Sequence, residues 1–353
     1  GFLQVPKFQM ESVHSIRNAL RQGSFVYSID LKDAYFQIPI HRSSRKYLRF
    51  ALNGKVYQFK ALPFGLSSAP WVFTRVMREV RAMAHRAGLS IFQYLDDWLG
   101  QSPSAPEASS DAQLLLRLCQ HLGLLVNLEK SELLPMQVFT FLGVSFDLLE
   151  GQVKPTQDHR EEIRNLATIF LQSPGQPAVR WQSLIGSIVA QERFIHLGRL
   201  HLRPLQWHLA SLWNQVSGSP AHVVPVTPEI IPALSWWTDS VHLSNGVPLH
   251  WPAPTLRIFT DASTQGWGAH VMGSTFEGRW SPQESRLHIN VLEMRAVRLC
   301  LAELQPAVSE VVLVATDNST VVAYINKQGG LKSRQLWQET LLLFDLVQSQ
   351  GIS

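Results

Sequence analysis

Cysteine is nearly absent: the 353 residues contain two, Cys119 and Cys300. A disulfide scaffold and a four-cysteine zinc site are both excluded, and the usage suits a reducing compartment. Long apolar runs are missing too. None approaches the roughly 18 residues that span a bilayer, and residues 341–344 read as one face of a helix. No stretch has the form of a signal peptide, and no internal repeat occurs. Charged residues are sparse at 16%, but hydrophobic residues reach 45% and include 11 tryptophans, which excludes a disordered, collagen-like or low-complexity chain. The length suits two or three domains with a core large enough to support a cleft. The chain starts at Gly1 without an initiator methionine and stops at Ser353 just after an amphipathic stretch, so it reads as a fragment cut at both ends.

The net charge of +4 is unevenly spread. Residues 1–150 carry 16 Lys/Arg against 12 Asp/Glu, residues 151–255 carry 7 against 6, and residues 256–353 carry 8 against 9. Within the first segment, residues 41–60 hold Arg42, Arg45, Lys46, Arg49, Lys55 and Lys60 and no acid. On charge alone this is either a solvated hairpin or a phosphate-contacting face.

Apolar spacing predicts a helix over 11–21 and a strand over 25–29 that ends at Asp30. Strands over 47–52 and 56–61 flank Asn53-Gly54, a strong hairpin signal. A long helix follows over 68–86, then strands at 90–94 and 98–100 around Asp96-Asp97. Residues 102–110, rich in Ser, Pro and Ala, read as a loop before a helix over 111–121, with strands near Val126 and over 138–146. Short strands alternating with helices make this segment α+β. From 156 to about 242 the pattern is helical, broken near Pro174, Gly198 and 217–220, and 243–255 reads as a linker. Strands over 256–260, 266–272 and 275–280, a helix over 289–304, a strand over 311–316 and helices over 319–327 and 334–347 complete the chain.

Tyr94-Leu95-Asp96-Asp97 sets two carboxylates at a hairpin tip, which alone is equally a polar turn. Asp30 also ends an apolar strand, and two strands of one sheet would bring Asp30 beside Asp96. Carboxylates gathered this way repel unless a divalent cation lies between them. Such a site suits two-metal nucleotidyl transfer from a triphosphate to a 3′-hydroxyl.

The segments FVYSIDLKDAYFQIPI (25–40), LPFGLSSAPWVFT (62–74), YLDDW (94–98), LGLLVNLEKSE (122–132) and FLGVSF (141–146) resemble, in order, the palm motifs of reverse transcriptases. The resemblance implies Asp30, Asp96 and Asp97 as metal ligands, with Leu31 where family members offer a backbone carbonyl to the metal. Tyr35 would be the gate beneath the incoming sugar, or simply core. Phe64 would pack near the nucleotide, and Gly65 would let the backbone approach the primer–template. Lys130 would lie near the triphosphate, or face solvent. The basic hairpin with Arg45 and Arg49 becomes a finger-like element near template and triphosphate. An earlier fingers strand with basic residues is expected to precede Gly1.

A second set of carboxylates follows. Asp261 ends one strand, Glu293 lies in a helix and Asp317 ends another strand; singly, each reads as a cap or surface residue. Together, IFTDASTQGWG (258–268), HINVLEMR (288–295) and ATDNSTVVAYIN (315–326) resemble the ribonuclease H fold. That resemblance implies two further divalent cations on Asp261, Glu293 and Asp317, and cleavage of the RNA strand of a hybrid. Ser263, Asn290 and Asn318 are candidates for 2′-hydroxyl contacts or local caps, and a fourth carboxylate is expected beyond Ser353. In the helical middle, Arg193, Arg199, Arg203, His196, His201 and His208 form either a phosphate-tracking face or solvated surface, while Trp236-Trp237 read as core rather than stacking platforms.

The expected architecture is therefore α+β throughout. A partial right-hand polymerase palm and fingers occupy 1–150, a helical thumb or connection and linker 151–255, and a partial α/β ribonuclease H-like domain 256–353. Expected cofactors are two Mg2+ per site, with Mn2+ as a substitute. Expected partners are an RNA template, a DNA primer, an RNA–DNA hybrid, deoxynucleoside triphosphates and other domains of the same polyprotein. No membrane is involved, and the location is cytoplasmic or nuclear. The wording SIDLKDAYF, LPFGLSSAPWVFT, INVLEMRAV and DNSTVVAYINKQGG is most similar to DIRS-like retrotransposons, with retroviral and Ty3-like polyproteins next. Two other readings stand beside this one: a non-catalytic or domesticated nucleic-acid-binding remnant, and an RNA-dependent RNA polymerase, which Tyr35 and the nuclease-like segment disfavour.

Overall fold

In the computed structural model, which describes residues 7, 8 and 10–352, the chain divides into two compact units. The first runs through Val153 and includes Pro248–His250; the second holds Lys154–Val247 and the residues from Trp251 onward.

The first unit contains α1 (Val13–Ala19), β1 (Phe25–Asp30), β2 (Arg49–Leu52), β3 (Lys55–Gln58), α2 (Ala69–Arg86), β4 (Ser90–Tyr94), β5 (Asp97–Ser102), α3 (Ala105–His121), β6 (Glu132–Met136), β7 (Val138–Phe141) and β8 (Val144–Asp147). Its main sheet has the order β4-β5-β1-β6. Tyr27, Ile29, Ile91 and Trp98 meet Phe73 and Met77 of α2 and Leu115 and Cys119 of α3 in one core. Side chains alternate along a strand, so Asp30 and its cross-strand partner Asp97 stand on the face opposite Tyr27 and Ile29.

Close packing of this sheet rests on Gly100. It lies opposite Tyr27 in the register, and a Cβ there would sit 2.0 Å from the Tyr27 ring. Most of the loop expected over 102–110 is instead the start of α3, with Ser102 ending β5 and Ser104 capping the helix. The Ser104 hydroxyl donates to the Glu107 carboxylate (2.8 Å) and accepts from its N–H (3.4 Å), and a proline occupies the first turn. A serine N-cap and a Pro in the first turn outweigh composition. Near Val126, where a strand was expected, there is only an isolated bridge to Leu31. The expected linker over 243–255 is partly built in: buried Arg17 donates to the Leu249 carbonyl (3.0 Å), and His250 contacts the Leu20 carbonyl (2.7 Å).

The chain continues through β9 (Gln152–Pro155), α4 (Gln157–Leu171), β10 (Gly175–Pro177), α5 (Ala178–Gln191), α6 (Gly198–Leu212), β11 (Val223–Pro225), α7 (Ile231–Trp236), α8 (Ser240–Ser244) and β12 (Val247–Pro248). Trp181 and Trp237 are fully buried among these helices, and their indole N–H groups reach the Val224 and His201 carbonyls. A buried tryptophan needs such a partner.

The second unit closes with β13 (Leu256–Ala262), β14 (Gly266–Val271), β15 (Ser274–Arg279), α9 (Ile289–Leu304), β16 (Val312–Ala315), α10 (Ser319–Asn326) and α11 (Arg334–Gln350). The sheet order is β15-β14-β13-β16, with β13 and β16 parallel. Buried Glu339 of α11 pins α9 by ion pairs to Arg295 (2.8 Å) and Arg298 (2.7 Å). Among the described residues, no helix is long and apolar enough to cross a membrane.

The Gly100–Tyr27 packing makes one strong prediction. Gly100→Ala should destabilise the first unit by roughly 3 kcal/mol, as overpacking does. Thermal unfolding checks it, and an unchanged melting temperature would show that the ring can step aside.

Candidate active sites

The first site is built at the ends of two neighbouring strands. Asp30 is the last residue of β1, and the register sets it opposite Asp97, the first residue of β5. The expected neighbour Asp96 is there as well: it lies in the two-residue turn between β4 and β5, its carbonyl accepts from the Leu31 N–H (3.0 Å), and its charge acts on Asp30. Leu95 in that turn is left-handed, with φ of 51°, a conformation costing a branched residue about 1 kcal/mol. Such strain collects at functional sites.

A second layer of bonds fixes Asp30. Its N–H donates to the Ser131 hydroxyl (3.0 Å), its carbonyl accepts from the Asn127 N–H (2.8 Å), and Ser131 closes back on the Asn127 carbonyl (2.7 Å). The Asn127 side chain also hydrogen-bonds the Asp30 carboxylate. Neither Asn127 nor Ser131 stood out in the sequence, since an isolated Asn and Ser in a loop carry no pattern.

Burial and like charges both act on these acids. Burial raises the Asp30 carboxyl, and Asp96 adds to this, against the Lys130 ammonium and the Asn127 bond. Asp97 is pushed up to about 6 by burial and then by Asp96 and Asp30, with Lys130 opposing. The three acids and Lys130 thus share one electrostatic site. Tyr35 is 9% exposed, and burial together with the Asp96 charge raises its hydroxyl. Its ring lies 4.8 Å from that of Phe64 and 5.4 Å from that of Phe73. Phe64 is exposed and also meets Phe36, a residue the sequence did not single out. Leu31 is buried, and Gly65 adopts φ of +83° with open space around it. In the basic hairpin, Arg45 donates to the Ile40 carbonyl (3.0 Å) and Arg49 is exposed.

The second site depends on parallel pairing. Phe259 pairs with Ala315, so Asp261 and Asp317, each two residues further on, emerge side by side. Glu293 reaches them from α9. Their ligand atoms lie within 4.8 Å of one another, the one such trio among the described residues; Asp30, Asp96 and Asp97 are spread more widely. Glu293 is 4% exposed, and its Oε2 has no hydrogen-bond partner. Its carboxyl is pushed up to about 7 by burial and then by Asp261, with Asp317 adding and the Ala262 N–H opposing. A buried, orphaned carboxylate oxygen among two further acids fits a divalent cation.

Three candidates prove to be local ties. The Ser263 hydroxyl accepts from the Gln265 and Gly266 N–H groups, and Asn318 caps α10 and donates to Asn290 (2.9 Å). In the helical middle several of the arginines and histidines make local contacts. Arg199 pairs with Glu192 (2.6 Å), Arg203 donates to Gln206 and the Lys327 carbonyl, and His208 contacts the Pro225 carbonyl. His201 stacks on Trp236 at 3.9 Å and is pushed down to about 4 by burial, then by His242 and His196.

The raised acids fix a sign for pH dependence. A folded-state pKa above the unfolded value means the native state holds the proton more tightly. The stabilisation from protonation is complete below about 4 and is lost as pH rises through about 6 for Asp97 and about 7 for Glu293. Metal-free protein should therefore melt lower at pH 8 than at pH 5.5. Asp97→Asn and Glu293→Gln should each raise its pH 8 stability by roughly 1–3 kcal/mol. Adding Mg2+ or Mn2+ at pH 8 should restore wild-type stability and do less for either variant. Indifference of the wild type to these cations would show that neither site holds one.

Comparison with known proteins bears on the first unit most directly. Residues 2–146 match the family described as reverse transcriptase (RNA-dependent DNA polymerase). The chain is 24% identical over 364 residues to the enzymatic polyprotein of figwort mosaic virus (strain DxS), covering 97% of this chain and 51% of that protein. It is 26% identical over 167 residues to Protein P of duck hepatitis B virus (strain China), covering 46% of this chain and 21% of that protein. It therefore spans about half of one relative and about a fifth of the other. Among solved structures, a foamy viral protease–reverse transcriptase in complex with RNA/DNA hybrid superposes with a TM-score of 0.60 at 17% identity, over 99% of this chain and 46% of that one. The same protein's dRH form with double-stranded DNA gives 0.61 at 16%, over 99% and 59%. At these identities the likeness is one of fold. Residues 2–146 thus match a reverse transcriptase domain, in a chain similar to viral proteins of greater length.

Proposed function

We propose that the chain copies RNA into DNA at Asp30, Asp96 and Asp97, and cuts the RNA strand of the resulting hybrid at Asp261, Glu293 and Asp317. The observation that carries the first half is the Asp30–Asp97 register with Asp96 in the adjoining strained turn. The close Asp261–Glu293–Asp317 trio carries the second half. Divalent cations held by these acids, Mg2+ or Mn2+, would supply Lewis-acid activation of an attacking hydroxyl or water and charge neutralisation at the leaving group.

The chain's own residues do the rest. Lys130, whose charge Asp30 and Asp97 both feel, is the candidate proton donor to departing pyrophosphate. Tyr35, held between Phe64 and Phe73, would present its ring to the sugar and exclude a 2′-hydroxyl. Leu31, Gly65 and Phe64 would line the primer–template and nucleotide, and the hairpin with Arg45 and Arg49 would face template and triphosphate. Template RNA, DNA primer, hybrid and deoxynucleoside triphosphates are the corresponding partners. The division into palm and fingers (1–150), helical connection (151–255) and nuclease (256–353) belongs to this reading. So does the assignment to a DIRS-like retroelement, which rests on the motif wording given above.

Primer extension on an RNA template tests the polymerase. Asp96→Asn should lower extension by more than roughly a hundredfold, since even residues behind a metal ligand are worth 10–100-fold. Glu293→Gln should abolish hybrid cleavage and leave extension intact. Tyr35→Ala should raise ribonucleotide incorporation by about tenfold or more relative to deoxynucleotide. If wild type and Asp96→Asn extend equally, the palm assignment fails. If neither activity occurs, the chain is a nucleic-acid-binding remnant.

A further inference from the structure

The acids of the second site would hold cations beside either strand of a hybrid, so telling RNA from DNA falls to other groups. The ribose readers expected from the sequence are spent locally, Ser263 on the Gln265 and Gly266 N–H groups, and Asn318 on the first turn of α10 and on Asn290. The cleft beside the acids offers another. Asp261 of β13 pairs with Gly268 of β14, and Gly268 pairs with Glu277 of β15. Residues directly opposite one another share a sheet face. This row therefore runs from a candidate metal ligand, across a residue with no side chain, to a further carboxylate. With neighbouring strands about 4.8 Å apart, the two acids stand roughly 10 Å from each other at the backbone. Asp261, Gly268 and Glu277 line one open cleft together with Asp317.

Gly268 has no packing reason to be glycine. A side chain at Gly266 would run into the Gly278 carbonyl, and one at Gly278 into the Trp267 indole, so the fold requires both of those. A Cβ at Gly268 would meet nothing closer than the Phe276 carbonyl oxygen at 3.9 Å, and its φ lies outside the left-handed region. A glycine inside a strand costs stability, and it commonly marks where a ligand or another backbone passes close. A ligand is called for at the end of this row, where the buried Glu293 Oε2 lies without a partner beside Asp261 and Asp317.

Glu277 supplies the chemistry. It is exposed, and among the described residues it has neither an ion pair nor a hydrogen bond. A carboxylate only accepts hydrogen bonds and repels phosphate, so it suits a strand that presents a donor beside Asp261. The 2′-hydroxyl is the donor that ribose has and deoxyribose lacks.

We infer that Gly268 and Glu277 form a ribose seat. The sugar next to the cut phosphate lies on the bare β14 backbone at Gly268, and its 2′-hydroxyl donates to the Glu277 carboxylate. Glu277 thereby selects the RNA strand and takes no part in breaking the bond. The inference rests on the hybrid cleavage proposed above.

The test is cleavage by the full chain, with Mg2+, of hybrids whose RNA strand carries a single 2′-deoxynucleotide walked across the cut position, with melting temperatures in parallel. Wild type should lose about tenfold or more in kcat/KM at the position Glu277 reads, the worth of a hydrogen bond to a charged group. Glu277→Ala should cut the all-RNA strand slower by the same factor, and that deoxy substitution should then cost nothing further, while penalties at other positions persist. Gly268→Val should melt no lower than wild type, since a β-branched residue suits a strand better than glycine. It should nonetheless cut the hybrid about tenfold or more slowly, as misplacing the reacting group does. An equal deoxy penalty in wild type and Glu277→Ala at every position would overturn the 2′-hydroxyl assignment, and undiminished cleavage by Gly268→Val would show that no sugar crosses β14. With Glu293→Gln inactive, either result leaves the nuclease reading standing. Cleavage that survives Glu293→Gln, or a wild type that cuts no hybrid, would sink that reading and this inference with it.

Discussion

Mutual repulsion of carboxylates is the constraint on which both sites depend. Asp97 and Glu293 are held where burial and neighbouring acids lift them to about 6 and about 7. No packing argument favours that arrangement; a chain selected only for stability would place amides there. The surrounding structure overrides the repulsion with main-chain geometry. In the first unit, antiparallel register forces Asp30 and Asp97 to face each other, and the Asp30–Asn127–Ser131 bonds hold the strand end in place. In the second unit, parallel β13 and β16 deliver Asp261 and Asp317 together, and α9 brings up Glu293, pinned on its far side by the Arg295–Glu339 and Arg298–Glu339 pairs.

The two sites differ in how tightly the acids converge. The second brings three ligand atoms within 4.8 Å, and Asp30, Asp96 and Asp97 stay further apart with the Lys130 charge acting on them. A lysine beside the palm acids offsets some of the repulsion directly. In the second trio it is the Ala262 N–H that opposes the lift of Glu293, whose Oε2 is left without a partner.

Much of this was legible in the sequence because it is local. Asn53-Gly54 predicted the β2–β3 hairpin, and the apolar strand before Asp30 and the turn at Asp96-Asp97 predicted the palm acids' positions within one residue. The helix over 289–304 matches α9 end for end, since its apolar spacing is uninterrupted. Illegible parts were those set by distant partners. Nothing local sets Asp30 opposite Asp97 as well as beside Asp96, because that is a register between strands some 67 positions apart. Ser104 and Pro106 did announce a helix start, but the small polar composition around them masked it. The arginines and histidines of the middle segment looked free because their partners, Glu192, Lys327 and Trp236, come from other turns and elements. Asn127, Ser131 and Glu277 matter through what surrounds them, which no single-sequence pattern records.

The claim that unites these observations is that each carboxylate cluster exists to hold divalent cations. Crystals soaked in Mn2+ and measured at the manganese edge test it without reference to activity. The account predicts anomalous peaks between Asp30 and Asp97 and within the Asp261–Glu293–Asp317 trio, with the latter lost in Glu293→Gln. Absence of both peaks at millimolar Mn2+ would contradict it.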